Sequence, residues 1–236
     1  WKLDEGFTHL SKSPPFPGEI SLLAISPDQI DFTERQANSC GSFAGICGDT
    51  VVVCNLVTMQ LRASKKKCHA NGTETVAISF DGNNIITSAK TKDPRKTAFK
   101  LWNGDMEEVG GNGKGKIKNP HQDFKVRGIN FHPSDKNRFY TYGDDCIIRI
   151  WDFVGKKALH TIDHQHQAAI SCLAFSYDGD SYLTSDDNMN MMIWSMTTNT
   201  PTSKSNVSAI FESCGFSSGG KIAGITRERN VMVYEQ

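Results

Sequence analysis

The chain returns five times to one short phrase. An apolar strand end runs into a turn at AISPD (24–28), AISFDG (77–82), NFHPSD (130–135), AFSYDG (174–179) and GFSSGG (215–220). The apolar anchors Ile25, Ile78, Phe131, Phe175 and Phe216 stand 53, 53, 44 and 41 residues apart. After each phrase comes a strand-like segment: FAGIC, NIITSA, RFYTY, SYLTS or KIAGI. A second segment follows, TVVVCN, AFKLWN, IIRIWD, MMIWS or VMVYE, and reaches a fixed closing position at Cys54, Trp102, Trp151, Trp194 or Tyr234. These closing segments alternate in the manner of strands with a buried face. The clearest copy is FHPSDKNRFYTYGDDCIIRIWDFVG (131–155), with its Gly-Asp-Asp turn.

A period of 40 to 50 residues with no helical pattern points to an all-β fold, a β-propeller. One small sheet cannot cover both of its own faces, so neighbouring copies supply the missing surface and stability accumulates by stacking. A β-sandwich has similar turn spacing, but it does not require the same turn and closing aromatic in every copy. The expected blades are 18–60, 68–104, 121–156, 166–199 and 206–236, with 104–120 as a flexible loop. Five units together with a start at Trp1 lead to the expectation of a fragment of a larger, seven-blade or tandem propeller.

Composition narrows the function classes. The 236 residues include 26 Lys+Arg and 26 Asp+Glu, so no global charge draws the chain to nucleic acid or anionic membrane. No apolar run reaches membrane-span length, and WKLDEGFTHL does not read as a signal peptide. Seven scattered cysteines fit reduced thiols of the cytoplasm better than a disulfide framework. The glycosylation patterns at Asn71 and Asn206 carry little weight without a secretory signal.

Chemistry-bearing motifs are weak. Gly110-x4-Gly115-Lys116 approaches a phosphate loop, but Ile117 stands where Ser or Thr would hold magnesium, and Pro120 stops a following helix. Cys40, Cys47 and Cys54 recur every seven residues near Cys68-His69, which is not the close pairing of a zinc site. His160, His164 and His166 read as connector and blade residues, and no nucleophile sits in a context such as G-x-S-x-G. The expectation is a non-enzyme without cofactor or metal. Lys65-Lys66-Lys67 and Lys114, Lys116 and Lys118 form basic spots, by default solvated loop faces. Their functional reading is contact with an acidic polymer, and the absence of interleaved aromatics disfavours single-stranded nucleic acid. Turn residues Asp144, Asp186, Asp187 and Arg227 are expected at one end of the ring, where loops on a rigid scaffold carry partner binding.

The repeat, with Trp151-Asp152 as its best dipeptide, resembles the WD-repeat family over nearly the whole chain. That resemblance implies a hydrogen-bonded chain of His, Thr, turn Asp and Trp within each blade. The matching residues are His121, Thr141, Asp145 and Trp151, then His166, Thr184, Asn188 and Trp194. The second copy departs, with Lys96 at the turn-Asp position, and Cys54 and Tyr234 replace Trp in the first and last. Val51 to Asn55, Phe131 to Asn137 and the insertion TKDPRKT (91–97) resemble microtubule-associated proteins of the echinoderm type and WD-repeat proteins of cilia and flagella. This implies a scaffold in a larger complex on the cytoplasmic cytoskeleton or ciliary axoneme, with tubulin or axonemal components as partners and no membrane. The FHP and AFSxDG phrases are also similar to spindle-checkpoint and mRNA-export propellers, which implies instead a soluble adaptor for short peptides.

Overall fold

The computed structural model describes residues 19–25, 41–56, 58–111, 114–176, 178–217 and 219–235. The N-terminal stretch, Cys40 and the turn half of the first phrase lie outside them. Consecutive antiparallel strands form five sheets. Blade one holds β1 (Ile20–Ile25), β2 (Ser42–Cys47), β3 (Thr50–Asn55) and β4 (Leu61–Lys66), and blade two β5 (Thr73–Ile78), β6 (Asn84–Ala89), β7 (Ala98–Asn103) and β8 (Lys116–Lys118). Blade three holds β9 (Val126–Phe131), β10 (Arg138–Gly143), β11 (Ile148–Asp152) and β12 (Lys157–Ile162). Blade four comprises β13 (Ile170–Phe175), β14 (Ser181–Asp186), β15 (Asn190–Ser195) and β16 (Pro201–Asn206). Blade five has three described strands, β17 (Phe211–Phe216), β18 (Ile222–Thr226) and β19 (Val231–Tyr234). Among the described residues the chain forms a five-blade all-β propeller.

The core lies between blades rather than within one. One apolar layer joins Ile86, Phe99 and Leu101 of blade two to Phe131, Phe139 and Trp151 of blade three. Equivalent layers join blades one and two around Trp102, three and four around Trp194, and four and five around Phe211. Each closing aromatic packs toward the preceding blade, which explains why that position recurs in sequence. Trp151 stacks on Phe139 with rings 6.1 Å apart, and Trp194 on Tyr182 at 5.6 Å. Such pairs add about 0.5–1.5 kcal/mol beyond the area they bury.

The opening phrases are turns closed by side chains. Ser79 donates to Asp81 at 2.6 Å and accepts the Asn84 N–H, and Ser176 does the same with Asp178 and Ser181. In blade three His132 takes the serine's place, its Nδ1 accepting the N–H groups of Ser134 and Asp135. Asx and Ser turns of this kind satisfy backbone donors where the chain reverses. The first strands β1, β5, β9, β13 and β17 succeed one another side by side and line a central cavity of about 430 Å³.

Two sequence expectations change. The stretch 104–120, expected as a loop, contributes β8, which pairs with β7 through Lys100↔Lys116, and Glu108 bridges Trp102. Likewise β4, β12 and β16 extend blades one, three and four past the expected ends at 60, 156 and 199. These outer strands are exposed on both faces, so no apolar alternation marks them in sequence.

Candidate interaction site

Hydrogen-bond chains set the blades before any surface can be read. In blade three the Trp151 indole N–H donates to Thr141 Oγ1 at 2.8 Å, and Thr141 Oγ1 lies 2.8 Å from His121 Nε2. The Asp145 carboxylate can only accept, so His121 Nδ1–H donates to it at 2.8 Å, and Nε2 of the neutral ring is left to accept the Thr141 hydroxyl proton. Arg149 closes the chain by pairing with Asp145. Burial opposes ionisation of Asp145, but His121 and Arg149 outweigh it and hold the carboxyl below its usual range. Burial also pushes the His121 pKa down against the pull of Asp145, keeping the ring neutral.

Blade four repeats the chain with one change of member. Trp194 donates to Thr184 at 2.7 Å, and His166 lies 2.7 Å from Thr184. The carboxylate on His166 Nδ1 is Asp186, at 2.8 Å, not Asn188. Asn188 only donates its backbone N–H to Asp186. In blade three the acid stands in the turn, four residues after Thr141; in blade four it stands at the end of β14, two residues after Thr184 and therefore on the same face. Asp186 is wholly buried, so the expectation that it lies on the binding rim is also overturned.

Blade two keeps more of the chain than its sequence shows. Trp102 donates to Thr87 at 2.9 Å, and Thr87 lies 2.8 Å from His69 Nε2. Lys96 takes no part; it ends the 3-10 turn Pro94–Lys96, exposed and 3.9 Å from Asp93. His69 escaped the sequence reading because Cys68-His69 drew attention as a metal pair. The signal was its spacing of 18 residues to Thr87, the same as from His166 to Thr184.

The other three rim residues come together across blades. Arg127, on β9, reaches Asp144 at 2.5 Å and Asp187 at 2.8 Å, and Arg227 reaches Asp187 at 2.7 Å. Arg127, which sequence reasoning missed, is the hub joining the turns of blades three, four and five. Burial works against its charge, yet Asp187 and Asp144 raise its pKa further. The four side chains are between 23% and 40% exposed, which leaves them facing solvent but fixed in place. Lys125, paired with Glu74 at 3.3 Å, and Glu212 border the same recess of about 340 Å³. The result is a recess of alternating charge, suited to hydrogen-bonding a polypeptide.

A separate basic edge crosses blades one and two. Lys65 and Lys66 lie in β4 and Lys67 follows it, so the expected loop is largely a strand. The Lys65 and Lys100 ammonium groups stand 5.9 and 5.6 Å from the Trp102 ring centroid. Ion pairs among the described residues include none of Lys65, Lys66, Lys67, Lys100, Lys116 and Lys118. Lys116 opens β8 rather than a helix, so no helix N-terminus follows Gly115 to hold phosphate. No three His, Cys, Asp or Glu side chains among the described residues form a group that could hold a metal ion.

The WD40 family model, described as WD domain, G-beta repeat, matches residues 115–152 and 156–195. Each matched segment starts at the outer strand of one blade (β8 or β12) and ends at the third strand of the next, so the sequence unit straddles two blades. Protein TPR3 of Oryza sativa subsp. japonica is 31% identical over 38% of this chain and 7% of its own length. A component of chromatin assembly factor 1 from Schizosaccharomyces pombe is 27% identical over 32% of the chain and 16% of its own. The beta component of a guanine nucleotide-binding protein from Nicotiana plumbaginifolia is 29% identical over 54% of the chain and 33% of its own. The chain thus spans a third or less of each of these relatives. Among solved structures, the WD40 β-propeller domain of Doa1 superposes with a TM-score of 0.63 at 19% identity, over 83% of this chain and 60% of that one. Two segments of the chain thus match the WD40 repeat model, and its fold is the β-propeller seen in the WD40 domain of Doa1.

Proposed function

We propose that this propeller is a non-enzymatic docking scaffold whose partner sits over the recess at the ends of blades three to five. The observation that carries it is the Arg127–Asp187–Arg227 network: charged turn residues from three blades, locked by one another yet facing solvent. Binding residues favour loops held by a rigid frame, and arginine is enriched among those that dominate binding energy. Two of the relatives are named as components of assemblies, which supports a role within a larger complex. Exchange of Arg227 for Glu should abolish capture of the partner while the thermal transition stays in place. Equal capture by Arg227→Glu and the parent chain would refute the assignment of this face.

A finer reading places the scaffold on microtubules or the axoneme, in the cytoplasm. Its support is the edge of unpaired lysines on blades one and two, complementary in charge to acidic tubulin tails. Contacts of this exposed kind are screened by salt, with a Debye length near 8 Å at about 0.15 M ionic strength. Co-sedimentation with microtubules at low salt, lost in the Lys65→Glu/Lys66→Glu/Lys67→Glu chain, is the expected result. No pelleting at low salt would leave the peptide-adaptor reading, through the Arg127 face.

A further inference from the structure

Six cysteines fall among the described residues, and two of them meet. Cys172 on β13 and Cys214 on β17 bring their sulfurs to 2.7 Å although 42 residues separate them. Carbon atoms in contact rest at about 3.5–4.0 Å, so two larger sulfur atoms at this separation are placed as partners rather than neighbours. The two strands belong to different blades and lie side by side on the channel wall. Cys172 is 3% exposed within the layer between blades four and five, whereas Cys214 is only partly covered and lines the central cavity. That cavity gives a small oxidant a route to one sulfur of the pair.

We propose that Cys172 and Cys214 are an oxidative modification site, closing to a cystine that joins blades four and five when a peroxide reaches the channel. The Cys214 thiol gives up its proton, and its sulfur attacks one peroxide oxygen. The O–O bond breaks, leaving a sulfenic acid and releasing water. Cys172 then attacks that sulfur and loses its own proton, and the hydroxyl leaves as a second water. Two thiols are oxidised by two electrons in all, and one peroxide is reduced to two waters.

The remaining described cysteines lack this arrangement. Cys68 is enclosed, with its thiol hydrogen-bonded to the Lys65 carbonyl and pushed up to about 11 by burial. Cys47 and Cys54 are buried in blade one, and Cys146 contacts the Asp144 carbonyl at 3.8 Å in a turn. The bond to Cys172 and burial also raise the Cys214 thiol, so the reaction is slow at neutral pH and accelerates as pH rises. The bridge lies directly behind the recess, since Ser171 and Glu212 of the same two strands border it. Closing it fixes the spacing across which Arg227 reaches Asp187.

The test uses the whole chain, fully reduced and then treated with hydrogen peroxide at pH 8. Digestion without reductant and mass spectrometry should return one cross-linked peptide pair containing Cys172 and Cys214, two hydrogens lighter than its reduced components and reopened by dithiothreitol. The oxidised chain should melt about 5–10 °C higher than the reduced one. Cys214→Ser and Cys172→Ala should each abolish both the pair and the upward shift, with the reduced parent chain as the reference for folding. Sulfinic acid at Cys214 without the cross-link, or cross-links shared among several cysteines, would overturn the proposal.

Discussion

At Thr141 one hydroxyl serves two buried partners, accepting from Trp151 and donating to His121. Thr141→Val keeps the shape and removes both bonds, leaving an indole N–H and an imidazole nitrogen unpaired in a wholly buried site. A stranded buried polar group costs about 1–3 kcal/mol. Urea unfolding should therefore show a loss of about 2–5 kcal/mol, and a loss below 1 kcal/mol would mean the chain is not structural. Blade four offers a sharper contrast. Asp186 accepts from His166, from the N–H groups of Asn188 and Asn190, and from the Asn190 side chain. Removal of this hub as Asp186→Ala should cost about 3–5 kcal/mol, while Asn188→Ala should change stability by less than about 0.5 kcal/mol. The sequence could not separate the two, because Asp186, Asp187 and Asn188 are all turn formers and blade three's spacing selects the wrong one. Face alternation along β14 selects Asp186, since it shares a side with Thr184.

Elements were legible in proportion to their burial. Inner strands such as β3 and β10 are covered on both faces and carry near-continuous runs of apolar and small residues, and the turns beside them carry Gly, Asp and Asn. The outer strands LRASKK, KALHTI and PTSKSN have no covered face to write a pattern, and only pairing to the third strand makes them strands. For the same reason Arg127 went unnoticed: its partners come from turns 17 and 60 residues away, a relation absent from any local window. In blades one, three, four and five the turns between second and third strands share one backbone device, a positive φ at Gly48, Cys146, Met189 and Arg229. A left-handed L-residue costs about 1–2 kcal/mol, against about 0.5–1 kcal/mol for the extra freedom of an unfolded glycine. Met189, exposed and at φ 59°, should therefore tolerate Met189→Gly with a gain of about 0.5–1 kcal/mol, read as a higher urea midpoint at constant slope. A lower midpoint would show that the methionine side chain contributes packing the backbone cost does not offset.

For the whole molecule, the blade chains make stability depend on acid. His69, His121 and His166 are buried at the edges of the layers that join blades, and burial lowers the pKa of each, His69 to about 4. Lys100 adds to the effect at His69, whereas Asp145 and Asp186 oppose it at the other two. In the unfolded chain these rings take up protons near pH 6.5. Between that pH and the folded values the unfolded state binds more protons, so stability falls as pH falls. Above pH 6.5 the contribution is fully present, and His69 alone loses about 3 kcal/mol by the time pH has passed through 4. Asp145, held low in the fold, begins to add its own loss as pH falls into the ordinary carboxylate range of about 4, where the unfolded carboxyl takes up a proton, so the first stage belongs to the histidines. Urea midpoints should fall steadily from pH 7 to pH 4.5, and the slope should flatten in His69→Gln, which can still bond Thr87 but cannot gain a proton. The comparison of slopes matters more than the absolute midpoint, because His69→Gln is expected to be less stable at pH 7 for packing reasons alone. An unchanged slope in that variant would mean that acid does not act through His69, and the neutral-ring account of blade two would fall.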